Sequence, residues 1–186
     1  MNYWLKKENV KKYEELIGAE KNIFCIKIIE QYLEKHKKIL ELGAGVGNDS
    51  LFLKEKYDVI ASDYSDYFLE ILAKKKIKNI KINIENFQFN KMIDCVYANK
   101  VFHYLNEYQI NNLLNLIHDN LNENGIILFT LWSGENNIEK NADGITYYYN
   151  LDKVKSFIPN KYKIIILKYF MEFEQNDSII ILLKKI

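Results

Sequence analysis

Residues 38–52 read KILELGAGVGNDSLF, and they constrain this chain more than any other stretch. Ile39, Leu40 and Leu42 make a short apolar run of the kind that fills a strand buried on both faces of a parallel sheet. Gly43, Ala44, Gly45, Val46 and Gly47 follow at once, and a helical pattern then runs from Asp49 to Lys56. Strand, glycine turn and helix N-terminus together build a seat for a nucleotide. The glycines let the backbone turn tightly and approach a ligand, and the helix start offers unpaired N–H groups.

The spacing of the glycines narrows the choice. A dinucleotide fingerprint, G-x-G-x-x-G, needs its third glycine at position 48, where Asn48 stands, and no Gly-Lys-Ser/Thr follows to make a P-loop. What remains is G-x-G-x-G with Glu41 two residues ahead. This pattern resembles motif I of the class I S-adenosylmethionine (SAM)-dependent methyltransferases. The continuation GNDSLFL is most similar to small-molecule members near the tellurite-resistance and thiopurine methyltransferases. The resemblance implies that the loop lies beside the methionine part of SAM, with Glu41, Gly43, Ala44, Gly45, Gly47 and Asn48 as cofactor contacts and S-adenosylhomocysteine (SAH) as product.

Three further stretches extend it. Residues 57–63 read as the second strand, ending in Asp63, 20 residues beyond Gly43. A carboxylate there can accept from both ribose hydroxyls, a feature shared by dinucleotide- and SAM-binding folds. Tyr64 is placed to lie against adenine, and Ser65 to cap the next helix. Residues 79–84 read as the third strand. Related methyltransferases usually carry Asp at the site of Asn83, so here an uncharged oxygen, with neighbouring Ile84, is expected at the adenine edge. Residues 92–98 read as the fourth strand, and Ala98 and Asn99 at its end resemble the motif IV region that faces SAM and substrate. His103, four residues on, is the candidate general base. The Asp/Asn-Pro-Pro-Tyr signature of enzymes acting on nucleic-acid bases or protein glutamine is missing.

Farther along, Asn106 and Gln109 form a capping-box pattern ahead of a helix ending near Gly125. Residues 126–131 read as the fifth strand, 135–149 as a long aperiodic loop, and 162–173 with 178–183 as an antiparallel hairpin. Five βα-type units closed by a hairpin resemble the class I methyltransferase fold across residues 19–186. The expected architecture is α/β, Rossmann-like, with seven mostly parallel strands and helices on both faces. It is expected as one domain, a helical cap over residues 1–34 and a core over 35–186, with the acceptor pocket built from residues 1–18 and 132–150.

Composition excludes other classes. Formal net charge is +1, every cationic residue other than histidine is Lys, and the lysines are scattered, so neither a basic face nor bidentate Arg readout of nucleic acid is expected. Two cysteines and three histidines show no metal-ligand spacing. No apolar run spans a membrane and no signal peptide opens the chain, so a cytoplasmic enzyme with a small-molecule substrate is expected. Two other readings stay open: a non-catalytic SAM- or SAH-binding protein, and an NAD(P)-linked oxidoreductase.

Overall fold

The computed structural model describes residues 3–186, to which every structural statement below refers. Met1 and Asn2, where the expected cap begins and where a leader was sought, lie outside the described residues.

Strand β1 (Lys38–Leu42) pairs in parallel with β2 (Asp58–Asp63) on one side and β4 (Ile93–Ala98) on the other. Outside β2 lies β3 (Asn79–Lys81), and outside β4 lies β5 (Leu121–Trp132). The last two strands of the chain, β8 (Tyr162–Phe170) and β9 (Ser178–Lys185), complete a seven-stranded sheet in the order β3-β2-β1-β4-β5-β9-β8, with β9 antiparallel to both neighbours. This is the mostly parallel sheet with an antiparallel hairpin that the sequence predicts. The chain winds outward from β1 to β3 and then returns to β4, leaving a crevice at the carboxyl ends of β1 and β4.

Alternation along the strands divides the core in two. Leu40, Leu42, Val96, Ile127, Phe129, Ile179 and Ile181 face a layer formed by α5 (Glu107–Asn120) and α6 (Leu151–Phe157). Ile39, Cys95, Tyr97, Leu128, Ile180 and Leu182 face α2 (Ile23–Tyr32) and α3 (Asn48–Leu53). Continuous apolar runs such as Ile179–Leu183 are therefore the signature of strands covered on both sides. Truncating one of these side chains to alanine costs about 2–5 kcal/mol. β8 is the edge strand; it is half-exposed, carries Lys163 and Lys168, and bulges between Ile164 and Ile166, all features that discourage edge-to-edge pairing.

Helix α5 begins with the predicted capping box: Gln109 N–H donates to Asn106 Oδ1 and Asn106 N–H to Gln109 Oε1, each at 2.9 Å. It stops at Asn120, earlier than expected, and Leu121 already pairs with Ile93 in β5. Gly125 lies inside a register irregularity of that strand. The stretch read as a loop holds a separate two-stranded hairpin, β6 (Ile138–Asn141) and β7 (Gly144–Tyr147). All four residues of β6 are exposed, so it shows none of the apolar alternation by which half-buried strands are recognised. At the other end of the chain, α1 (Lys7–Ile17) packs with α4 (Asp66–Lys74) through a small cluster of its own: Val10, Val46 and Phe68, with Trp4 and Tyr13 against them.

Candidate active site

A cavity of about 360 Å³ opens where the loop after β1 meets the residue after β4. Its lining includes Glu41, Gly43, Ala44, Gly45, Asn48 and Asn99 from the predicted set. Gly45 has a φ of +53° and Gly47 one of +77°, a region costly for residues with a Cβ. A Cβ on Gly47 would also fall 2.3 Å from Leu72 Cδ2, whereas one on Gly45 would meet nothing nearer than Tyr13 at 3.6 Å. Gly47 thus lets the loop press on α4, and Gly45 leaves the floor of the cavity bare.

Acidic groups surround that floor. Glu41 is buried and accepts from the Ser50 hydroxyl. Asp49, on the first turn of α3, accepts from Tyr97 Oη at 2.6 Å and from Asn22 N–H at 2.8 Å. Burial raises both carboxyls above the ordinary range, and the charge of Asp49 adds to the effect on Glu41. Among the described residues neither forms an ion pair. At the end of β2, Asp63 accepts from Gly45 N–H at 3.1 Å and Ser65 N–H at 3.0 Å. Burial pushes its carboxyl up to about 6 against the pull of those N–H groups. Tyr13 of α1 projects over Gly45 and lines the same cavity. Its phenol is raised by burial and then by Asp49, Asp63, Glu172 and Glu41.

The remaining predicted residues stand apart from this cavity. Asp63, Tyr64, Asn83, Ile84, Ala98 and His103 are not among its lining residues, and of the loop glycines Gly47 is set back. Asn83 caps a short 3₁₀ turn, its Oδ1 accepting from Glu85 N–H at 3.0 Å. Asn48 straps the cap linker to the core: its Nδ2 donates to Gly18 O at 2.9 Å and Glu20 O at 2.8 Å. Ser65 occupies the N-cap of α4 but makes no side-chain cap bond. Its hydroxyl donates instead to Trp4 O at 2.6 Å, tying the N-terminal segment to the end of β2. His103 is buried with its ring 4.1 Å from that of Tyr104, and its Nδ1 has no partner. Burial, then the Lys100 charge, lowers its pKa to about 3, so the imidazole is neutral at neutral pH.

The β6–β7 hairpin does not supply the expected wall. It leans on the 3₁₀ turn Phe102–Tyr104, where Tyr104 Oη donates to Asp143 Oδ2 at 2.6 Å. The wall comes instead from Phe170, Met171, Glu172 and Phe173, at the turn between β8 and β9. Sequence reasoning missed what holds this turn. Lys100, at a φ of +52°, sits 3.2 Å from the centre of the Trp132 ring and 2.9 Å from Glu172, and also donates to Leu131 O and Ser178 Oγ. Burial lowers its pKa to about 8, against the charge of Glu172. Lys100 and Glu172 are 72 positions apart, and no local pattern links them.

Comparison with known proteins agrees with this architecture. Residues 39–125 match the family model described as a methyltransferase domain. An uncharacterized methyltransferase from Staphylococcus carnosus (strain TM300) is 29% identical over 119 residues, 61% of this chain and 55% of that protein. The chain thus matches about half the length of that relative. Among solved structures, an S-adenosylmethionine-dependent methyltransferase from Clostridium acetobutylicum ATCC 824 superposes with a TM-score of 0.74 at 15% identity, covering 96% of this chain and 98% of that one. TehB from Haemophilus influenzae gives a TM-score of 0.74 at 16% identity, over 97% of this chain and 68% of TehB. The glycopeptide N-methyltransferase MtfA, complexed with SAH, gives 0.73 at 14% identity over 93% and 97%. At such identities the structural likeness speaks for the fold, and the family match adds a likeness over residues 39–125. Over that stretch the chain thus resembles the methyltransferase-domain family, and its fold is shared with solved SAM-dependent methyltransferases.

Proposed function

We propose that this chain is a methyltransferase that carries a methyl group from SAM to a small-molecule acceptor and releases SAH. The observation that carries the reading is the pair of buried, unpaired carboxylates, Glu41 and Asp49, beside a bare glycine loop. SAM brings an ammonium and a sulfonium against one carboxylate, a net positive charge that such a floor accommodates. A dinucleotide would bring a pyrophosphate dianion to the same place, where like charges repel, and this disfavours the oxidoreductase reading.

In this reading Glu41 and the loop Gly43–Gly47 hold the amino-acid part, Asp63 the ribose, Tyr64, Asn83 and Ile84 the adenine, and Ala98 with Asn99 border the methyl. Asn48 acts indirectly, by fixing the linker that carries Lys21 and Asn22 to the cavity wall. SAM supplies a methyl already activated for displacement. The protein positions the acceptor in line with it and excludes water, a task for which Tyr13 and Phe173 are suited. His103, neutral and set back, is a weak base, so acceptor activation falls to another group. A cytoplasmic location is part of the proposal and rests on two buried, unpaired cysteines.

Thermal unfolding with SAM, SAH, NAD and NADP in parallel tests the reading. At about 100 times its dissociation constant a ligand stabilises by roughly 2.7 kcal/mol. Stabilisation by SAM and SAH, absent in Asp63→Ala, is expected; stabilisation by NAD or NADP alone would overturn it. SAM binding with no SAH formed across a broad acceptor panel would favour a non-catalytic binding protein.

A further inference from the structure

Glu172 stands in the cavity wall with no task in the reading above. Its Oε2 meets the Lys100 ammonium at 2.9 Å and accepts from the Ser178 hydroxyl at 3.2 Å. Its own N–H donates to Asp177 Oδ1 at 2.9 Å. Both side-chain contacts fall on one oxygen, so Oε1 has no protein partner among the described residues. The side chain is only 18% exposed, and its charge reaches Asp49 and Tyr13, which face the same space.

The surroundings are aromatic. Phe170 and Phe173 flank Glu172 along the chain, and Phe24 of α2 stacks on Phe170 with ring centres 5.1 Å apart. One anchored carboxylate with a free oxygen, set among ring faces, suits an ammonium on a flat apolar body. The N–H groups find Oε1, and the charge lies near the rings. A hydroxyl gains the first interaction but not the second, and a carboxylate is repelled.

We propose that Glu172 is the acceptor-recognising residue of this site and that the acceptor is an amine on an aromatic or similarly flat apolar body. The inference rests on the SAM reading. Glu172 holds the ammonium and takes the proton that nitrogen must shed to expose its lone pair. The N–CH₃ bond then forms as the CH₃–S bond breaks, the bonding pair passes to sulfur, and the positive charge moves to nitrogen. Lys100 and Ser178 are positioning residues: they keep Oε2 engaged and Oε1 turned to the ligand.

The test uses the full chain saturated with SAH. Dissociation constants are measured calorimetrically for 2-phenylethylamine, 2-phenylethanol and 3-phenylpropionate, which differ in the group offered to Oε1. The amine is expected to bind at least ~10-fold more tightly than the other two, as for a charge-assisted hydrogen bond. Glu172→Gln should erase that preference while leaving the SAH constant unchanged. Glu172→Asp keeps the charge for Lys100 but shortens the reach, and should reduce the preference. SAH binding without amine preference, a preference that survives Glu172→Gln or is untouched by Glu172→Asp, or an equal loss of SAH affinity in Glu172→Gln would each overturn the proposal. Failure of the wild-type chain to bind SAH would instead overturn the cofactor reading, and the inference with it.

Discussion

The two walls of the cavity are held in opposite ways. On the N-terminal side, α1 and the turn before it rest on a satellite cluster of rings, with Trp4 5.3 Å from Tyr13 and 5.8 Å from Phe68. On the C-terminal side, the turn after β8 is fixed by charge. Asp177 accepts from the backbone N–H groups of Glu172, Phe173 and Glu174 at 2.8–2.9 Å, and Lys100 pins Glu172 from below. Ring contacts are tolerant of sliding, whereas a carboxylate that collects three N–H groups specifies one backbone shape. In the proposed reading the polar wall is built in advance for the acceptor, and the aromatic wall is the less tightly specified of the two.

The largest expected effect falls on the polar wall. Lys100→Met leaves Glu172 nearly buried and unpaired, so stability to urea should drop by about 3 kcal/mol. An unchanged midpoint would mean the ion pair contributes little and the two walls are less different than their contacts indicate.

The carboxylate behind the glycine loop gives the next effect. Asp63 has a folded-state pKa of about 6, above the ordinary carboxylate value of about 4. The folded state therefore binds the extra proton, and the sign is fixed: this group's stabilisation is full below about pH 4 and lost as pH rises through about 6. It amounts to about 3 kcal/mol between the two limits. Urea unfolding at pH 5 and pH 7.5 should show the ligand-free protein more stable at pH 5, with the contrast reduced in Asp63→Asn.

Asp177→Ala removes the carboxylate that accepts from three N–H groups on a half-exposed turn and should cost about 1–2 kcal/mol. Burial works against it, but those N–H groups hold the Asp177 carboxyl down to about 2. Its contribution is thus present above about pH 4 and fades as pH falls through about 2. Trp132 stacks on Phe173, so its fluorescence should report loosening of this turn in acid and in the variant.

The smallest global effect belongs to the aromatic wall. Trp4→Ala should shift the unfolding midpoint by less than about 1 kcal/mol, because the cap opens locally before the sheet unfolds. Amide exchange should nevertheless speed up across residues 7–17 and stay unchanged at 172–174. Equal acceleration of both would dissolve the contrast between the walls.

What could be read in advance follows from the same physics. The run Ile39–Leu42, the glycines after it, Asp63 and the Asn106–Gln109 box are local patterns, and local patterns survive in sequence. The wall does not survive in this way, since Lys100, Glu172, Ser178 and Trp132 meet only through the order of strands. Ser65 illustrates a milder failure. Its type and place suit a cap, but a carbonyl 61 residues away took its hydroxyl. The β6–β7 hairpin escaped because an exposed strand has no buried face to mark it.

The position of β9 has a consequence for how the molecule is made. It follows β8 in chain order, yet it fills the gap between β5 and β8. During synthesis β5 therefore waits with one edge bare until residues 178–185 leave the ribosome. Glu172, on the turn just ahead of them, reaches Lys100 at the same late moment. Residues 172–185 close the sheet and furnish the proposed acceptor wall together, so a nascent chain can shape its glycine loop well before it can choose what to bring beside it.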